Sequence, residues 1–167
     1  MPLTKIQSLG ITDGTIVNSD INASAAIAGT KLTGVGKVLQ VVTATDATQR
    51  STTSTSFVTA SNTLSVTITP ASASNKVFLL CTTVSYGVTA GAVHLTIFRG
   101  STNIGAGTQN GFTENRPDWN SSAFSYLDSP STTSATTYQI RFRSDNGGLA
   151  YMNNDTLASI TAFEIAA

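Results

Sequence analysis

Two residues could carry nucleophilic or acid–base chemistry in this chain. His94 is the only histidine, so any Ser-His or metal-His scheme would have to use it. It lies between Val93 and Leu95 in an alternating segment, which favours a structural or surface histidine over a general base. Cys81, the only cysteine, lies in the apolar run 77–81 and is expected to be a small buried hydrophobe rather than a reactive thiol.

Metal and phosphate chemistry find little support in the pattern. The acidic residues are scattered, whereas metal sites need clustered Cys, His or carboxylate ligands. Asp145-Asn146 could hold calcium, but the following Gly147-Gly148 makes a hairpin turn the simpler interpretation. No glycine-rich loop precedes a helix, so a phosphate cradle is not expected. The sequence therefore predicts no catalytic constellation, no metal, no cofactor and no enzyme.

A binding surface is a better prospect, in the segment 112–120. Its candidate ligand or subunit contacts are Arg116, Asp118, Trp119 and Asn120, which include the only tryptophan. An aromatic face beside directed hydrogen-bonding groups suits a sugar or a protein partner. The alternative interpretation, which we favour, is that Trp119 covers the end of the core or packs against a neighbouring copy.

Arg141 and Arg143 share one face of a predicted strand. They are either solvated or paired with acidic groups across a subunit contact. The second interpretation has consequences only if that face is buried.

Composition excludes several classes of function. Acidic and basic residues balance at nine each, and charged residues make up 11% of the 167 residues. Without a basic patch we do not expect nucleic-acid binding. No apolar run reaches membrane-spanning length, and no secretion signal is visible.

More than a quarter of the residues are Ser or Thr, which favour turns and strands. A surface with so little charge does little to resist association, which fits a protein that works in an assembly.

The pattern from Lys37 onward predicts eight to ten strands and no helix. A long central strand over 76–86, apolar on both faces, is the strongest prediction. The stretch 105–120 shows no period and is predicted to be a long exposed loop, which is often functional. The other predicted strands are 38–42 (partly buried on both faces), 64–69, 93–98, a short return at Ile104, 123–127, 138–143, 150–152 and 159–165. Residues 46–56 are either a loop or an irregular edge strand.

These strands predict an all-β fold, an antiparallel β-sandwich of the jelly-roll type, over residues 37–167. The strand at the C-terminus is expected at the centre of its sheet. The chain divides into this head and an N-terminal stalk, residues 1–36, which ends at the Gly34-Val35-Gly36 joint.

The stalk has an unusual apolar period. Its branched apolar residues recur every five positions with one step of six, a spacing that puts them on one face of neither a helix nor a strand. Turn-forming residues separate them. Several copies side by side could shield these side chains around a shared axis, so we predict trimer-stalk and capsid-anchoring roles for the whole set. Its members are Ile6, Ile11, Ile16, Ile21, Ile27 and Leu32.

The segments 11–21 and 25–32 resemble the stalk repeats of tailed-bacteriophage fibres and spikes. The head resembles the C-terminal domain of such proteins, especially those of marine and cyanobacterial phages. The segments that carry this second resemblance are 72–77, 98–101, 126–130, 135–138 and 164–165. The resemblance spans nearly the whole chain and implies a homotrimer with a jelly-roll head of the kind seen in C1q and tumour necrosis factor.

The resemblance implies a non-enzymatic structural protein at the virion surface. A stalk this short favours a spike over a long tail fibre, because the chain from Met1 reaches the head within 36 residues. The expected role is a homotrimeric capsid-decoration (cement) protein, bound to the major capsid protein through its N-terminal arm. The alternative is the receptor-binding tip of a short tail fibre or spike, which would contact tail proteins and a host surface glycan. A free-standing lectin or hydrolase is the least favoured class.

Overall fold

The computed structural model describes residues 37–88, 91–105, 111–115 and 118–167, and within them the regular structure is entirely strand and turn. The strands are β1 (Val38–Asp46), β2 (Arg50–Thr52), β3 (Ser65–Ile68), β4 (Lys76–Gly87), β5 (Val93–Arg99), β6 (Thr102–Asn103), β7 (Thr113–Asn115), β8 (Asn120–Asp128), β9 (Thr136–Ser144), β10 (Ala150–Met152) and β11 (Ala158–Ile165). The predicted all-β class is confirmed.

The first sheet, sheet A, is built around β4. One edge of β4 pairs with β11 and then with the shorter β10, and its other edge pairs with β8 along nine residues. β1 pairs with β11, and β2 pairs with β10. The prediction of a central strand over 76–86 is therefore confirmed, as is the central position of the C-terminal strand.

The second sheet, sheet B, has the order β3-β9-β5, with β6 and β7 both on the outer edge of β5. All described pairings in both sheets are antiparallel. Successive long strands therefore alternate between the two sheets, with β4 and β8 in sheet A and β3, β5 and β9 in sheet B. This is the jelly-roll arrangement that the sequence predicts.

The core lies between the sheets and follows the strand period of two. Along β4, β9 and β11 every second residue is buried, and the intervening residues are exposed or half-buried. Branched aliphatic and aromatic side chains fill this layer. Its largest fully buried apolar members are Leu64, Ile68, Leu79, Leu95, Ile97, Tyr138, Ile140, Phe142, Met152 and Ile160.

Three local predictions need correction. The segment 145–149 does not close a hairpin, because it carries the chain from β9 in sheet B to β10 in sheet A. The predicted loop 105–120 contains β7, which extends sheet B beyond β5, and its last residue begins β8. The first strand is not buried on both faces, because Val38, Leu39 and Val41 of β1 are largely exposed.

Inward-pointing polar side chains tie the two sheets together at their margins. The carboxylate of Asp128, at the end of β8 in sheet A, accepts hydrogen bonds from Arg99 Nη1 at 3.0 and 2.9 Å and from the Tyr138 hydroxyl at 2.6 Å. Arg99 and Tyr138 both belong to sheet B. Burial and the hydrogen bond to Asp128 raise the pKa of Tyr138 far above its ordinary value, so the phenol stays neutral and donates.

Two further carboxylates fix the ends of strands. Glu164, buried in β11, accepts from the Ala71 amide and from Asn75 Nδ2, each at 2.6 Å. Asp46 accepts from the amides of Thr48 and Thr63 at 2.9 and 3.0 Å. Burial opposes ionisation of Asp46, but the hydrogen bonds from Thr63 and Thr48 together with the Arg50 guanidinium outweigh it and lower its pKa. At these turns the two carboxylates accept hydrogen bonds from backbone amides that would otherwise have no partner within the protein.

Candidate functional site

The outward face of sheet A is the most unusual surface of the described chain. At the end where the described chain enters β1 and leaves β11, pairing aligns one residue from each of four strands. Val41 pairs with Phe163, Phe163 with Phe78, and Phe78 with Leu127. These four residues, the apolar row, run across the whole width of the sheet. Leu80 follows Phe78 on the same face of β4.

The apolar row is open to solvent in the single chain. Leu127 is 56% exposed, Val41 55% and Leu80 41%. Phe78 and Phe163 are half-buried and contact each other, with ring centroids 6.1 Å apart. Adjacent exposed side chains of this size mark interaction surfaces on soluble proteins.

Hydroxyl side chains cover the middle of the same face. Thr43 and Thr161 share a hydrogen bond of 2.8 Å between their hydroxyls, and Thr82 and Ser159 share one of 2.9 Å. Among the outward positions of β1, β4, β8, β10 and β11, only Lys76, at the very end of β4, carries a charge. The face can therefore be covered by another surface without the cost of burying an unpaired charge.

The opposite end of this face carries three aromatic rings. Trp119 stacks on Tyr86 with a centroid distance of 5.2 Å and an interplanar angle of 27°. Tyr151, the cross-strand partner of Tyr86, has centroid distances of 6.1 Å to Tyr86 and 6.2 Å to Trp119. We call Tyr86, Trp119 and Tyr151 the aromatic shelf. Trp119 is still 37% exposed, so it lies on the sheet rather than over the end of the core.

A pocket of ≈ 300 Å³ lies on the same face and is lined by Val84, the outward residue of β4 that precedes Tyr86. Its floor and walls come from β4, β8 and the turn before β11. The residues that matter here are Thr82, Val84, Ser121, Ala123, Thr156 and Leu157. Val84 precedes Tyr86 by two residues on β4 and pairs with Ser121, which places the pocket between the hydroxyl band and the shelf.

The predicted binding residues are only partly brought together. Asp118 Oδ1 accepts from the Trp119 amide at 2.9 Å, and Asn120 Nδ2 donates to the Asp118 carbonyl at 2.8 Å, so these residues fix the entry into β8. Arg116 lies outside the described residues. The six predicted stalk residues, Ile6, Ile11, Ile16, Ile21, Ile27 and Leu32, also lie outside them.

Sequence reasoning missed Tyr86 and Tyr151 as partners of Trp119. They are 33 and 32 positions away along the chain, respectively, and only the strand pairing brings the three together. It also missed the apolar row. The available signal was that the segment 76–86 is apolar on both faces, which we attributed to a central position in the sheet.

The outward face of sheet B is built differently. Arg141 lies over the ring of Phe98 at 4.0 Å, and Arg143 lies over Phe57 at 5.5 Å. The prediction that both arginines share one strand face is confirmed. Their described contacts are stacking on aromatic rings of the same chain, together with hydrogen bonds to backbone carbonyl groups such as Gly100 O.

His94 lies on this second face, paired across the sheet with Arg143 and Glu114. Its ring is almost fully buried, and Nε2 lies 3.5 Å from Asp145 Oδ1. Within the described residues no group of three or more His, Cys, Asp or Glu side chains could hold a metal ion. The buried Cys81 thiol has its pKa raised to about 12 by burial, so it is not a nucleophile at neutral pH.

No protein-family model matches the chain, and no curated protein matches it. Among solved structures, a chain from the crystal structure of the infectious bursal disease virus VP2 subviral particle aligns with 17% identity and a TM-score of 0.42. The alignment covers 75% of this chain, which spans 39% of the VP2 chain. No helix in the described part of the chain is long and apolar enough to cross a membrane.

Proposed function

We propose that the protein is a non-enzymatic bacteriophage virion protein that forms a homotrimer through the outward face of sheet A. In this proposal the head projects from the virion surface as a capsid decoration. Residues 1–36 are the arm that joins the three copies and grips the major capsid protein. The phage assignment rests on the resemblance of the stalk and head segments, and the mode of association rests on the structure of the head.

The observation that supports the association is the apolar row. Val41, Phe163, Phe78 and Leu127 form one continuous strip with no charged side chain between them. Covering one large apolar side chain stabilises an interface by about 1.5–3 kcal/mol. Hydroxyls beside the strip keep the free subunit wettable without the cost that a buried charge would add.

The position of the row agrees with an arm at the N-terminus. The described chain begins at Lys37, whose carbonyl accepts a hydrogen bond of 2.9 Å from the Ala166 amide, next to the end of β11. Phe163 of the row lies in the same strand end. Copies that meet at the row would therefore have their arms leaving from neighbouring points, as a shared stalk requires.

A decoration protein of this design stabilises a shell by mass action. The trimer binds the assembled capsid surface and not the separate subunits, so its binding free energy adds to the stability of the shell.

A receptor-binding tip of a short tail fibre is the second candidate. The aromatic shelf favours it, because exposed stacked rings at the end of the face away from the row suit ligand contact.

The association is tested by light scattering on the purified full-length chain. We expect a mass three times the 17.3 kDa of one chain, maintained on dilution. A monomer with the heads well folded would contradict the proposal.

The position on the virion is tested by counting copies per particle: a number matching the capsid lattice supports decoration, and a number matching the tail supports the second candidate. Particles lacking the protein should lose DNA at a lower temperature if it is a decoration protein.

A further inference from the structure

The aromatic shelf and the pocket beside it form a surface with two kinds of chemistry. Trp119 presents a ring that stacks on Tyr86 and remains exposed. The pocket next to it is lined by the hydroxyl residues Thr82, Ser121 and Thr156. A flat aromatic surface near a hydroxyl-lined pocket combines an apolar platform with directional hydrogen bonding, as small-ligand sites do.

We propose that the shelf and pocket bind an uncharged pyranose ring of an oligosaccharide. The C–H face of such a ring carries partial positive charge and packs on the electron-rich face of an aromatic ring. Its equatorial hydroxyls exchange hydrogen bonds with Ser and Thr side chains, each of which both donates and accepts. Trp119 and Tyr151 supply the platform, and Ser121 and Thr156 supply the hydrogen bonds.

The charge of the site selects the class of sugar. No residue lining the pocket is ionisable. Within the described residues Asp118 is the charged group next to Trp119, and it is acidic. Among the described residues of the site, no cation would neutralise the negative charge of a sialylated, sulfated or phosphorylated glycan. A neutral hexose fits both the hydroxyls of the pocket and the acidic Asp118 beside Trp119.

The shelf is separate from the surface proposed for self-association. Phe78 of the apolar row and Tyr86 of the shelf lie on the same face of β4, eight residues and therefore about 26 Å apart. The hydroxyl band lies between them. A subunit contact centred on the row leaves the shelf at the far end of the sheet, where a ligand can reach it.

This inference names the ligand class for the receptor-recognition candidate. It rests on that candidate for its biological role but not for the binding itself. Direct binding of sugar to the purified protein tests the site, and competition with infection tests the role. Failure of the second with success of the first would remove the receptor role and leave the site.

The protein carries its own reporter, because Trp119 is its only tryptophan. Neutral oligosaccharides of glucose, galactose and mannose are titrated into the full-length protein while the tryptophan emission is recorded. At least one series should give a saturable shift. In saturation-transfer NMR the protons on one face of the sugar ring should receive most of the magnetisation. If no neutral sugar produces either signal, the proposal is wrong.

Matched variants locate the site. Tyr151→Ala keeps the reporter and should weaken binding at least tenfold, and Trp119→Ala should abolish the NMR signal. Phe57→Leu removes an aromatic ring from the other sheet face and should leave binding unchanged. Light scattering accompanies each variant. If Trp119→Ala yields monomers, the shelf is a subunit contact, and if it leaves sugar binding intact, the shelf is not the sugar platform. Either result overturns the proposal.

Discussion

The outward faces of the two sheets differ in whether the chain itself covers their apolar side chains. On sheet A the outward residues other than Lys76 are apolar or hydroxyl-bearing, and the apolar row is left uncovered by the chain itself. On sheet B the outward aromatic rings Phe98 and Phe57 are each covered by an arginine of the same chain. A ring under a guanidinium is already desolvated and offers little to a partner. An exposed leucine or valine gains only when another surface covers it.

The difference teaches where assembly can occur. Burying sheet B would remove Arg141 and Arg143 from water and would demand compensating acidic groups. Burying the row on sheet A demands none. The outward rings of sheet B are therefore covered by the chain itself, whereas the apolar row of sheet A is exposed. The outward face of sheet A is the one to test first as a subunit contact.

The largest expected effect comes from putting a charge into the apolar row. Leu127→Asp should abolish association, because an unpaired carboxylate buried at each contact costs roughly 3 kcal/mol or more. Thr67→Asp is the matched control, since Thr67 is also an exposed strand residue but lies on sheet B. Light scattering should give monomers for the first and the wild-type mass for the second. Equal behaviour of the two variants would show that the row is not the contact.

The residue after Leu127 allows a second contrast within one strand. Asp128 points inward, where it binds Arg99 and Tyr138. Asp128→Ala should lower the free energy of unfolding by about 2–3 kcal/mol, less than for a fully buried pair because Arg99 is partly exposed. Urea denaturation measures this loss.

The oligomeric state in solution should distinguish Leu127→Asp from Asp128→Ala. Asp128→Ala should leave the association constant of the folded heads unchanged, as judged by light scattering well below the unfolding transition. Tyr138→Phe, which removes one hydrogen bond to the same carboxylate, should cost only about 1–2 kcal/mol. A stronger loss from Tyr138→Phe than from Asp128→Ala would contradict the assigned network.

Much of the fold could be predicted because strand periodicity is local. The alternation around Val66 and Ile140 and the long apolar segment that became β4 are visible within a few residues of sequence. The prediction at 145–149 failed because turn-forming residues specify a reversal but not the strand that is paired afterwards. Residues 105–120 lacked a period because β7 is only three residues long.

The candidate site was harder to predict because it is made by pairing rather than by spacing. Trp119 was selected from its type alone, and nothing near it in sequence indicates that Tyr86 and Tyr151 lie beneath and beside it. The apolar row depends on the registers of three strand pairs. In each pair a shift of one residue would turn the side chains of one strand to the opposite face of the sheet. Apolar residues on both faces of a strand indicate burial, but not whether the cover is the same chain or another copy.

The smallest expected effect distinguishes a covered ring from an uncovered side chain. Arg141→Ala removes the guanidinium above Phe98 and should lower the free energy of unfolding by about 0.5–1 kcal/mol. The mass in solution should not change. Leu80→Ala on sheet A should do the reverse, with little effect on the stability of the separate head but weaker association on dilution. If Arg141→Ala weakened association and Leu80→Ala did not, sheet B would be the assembly face, because only a contact made through the arginines would depend on them.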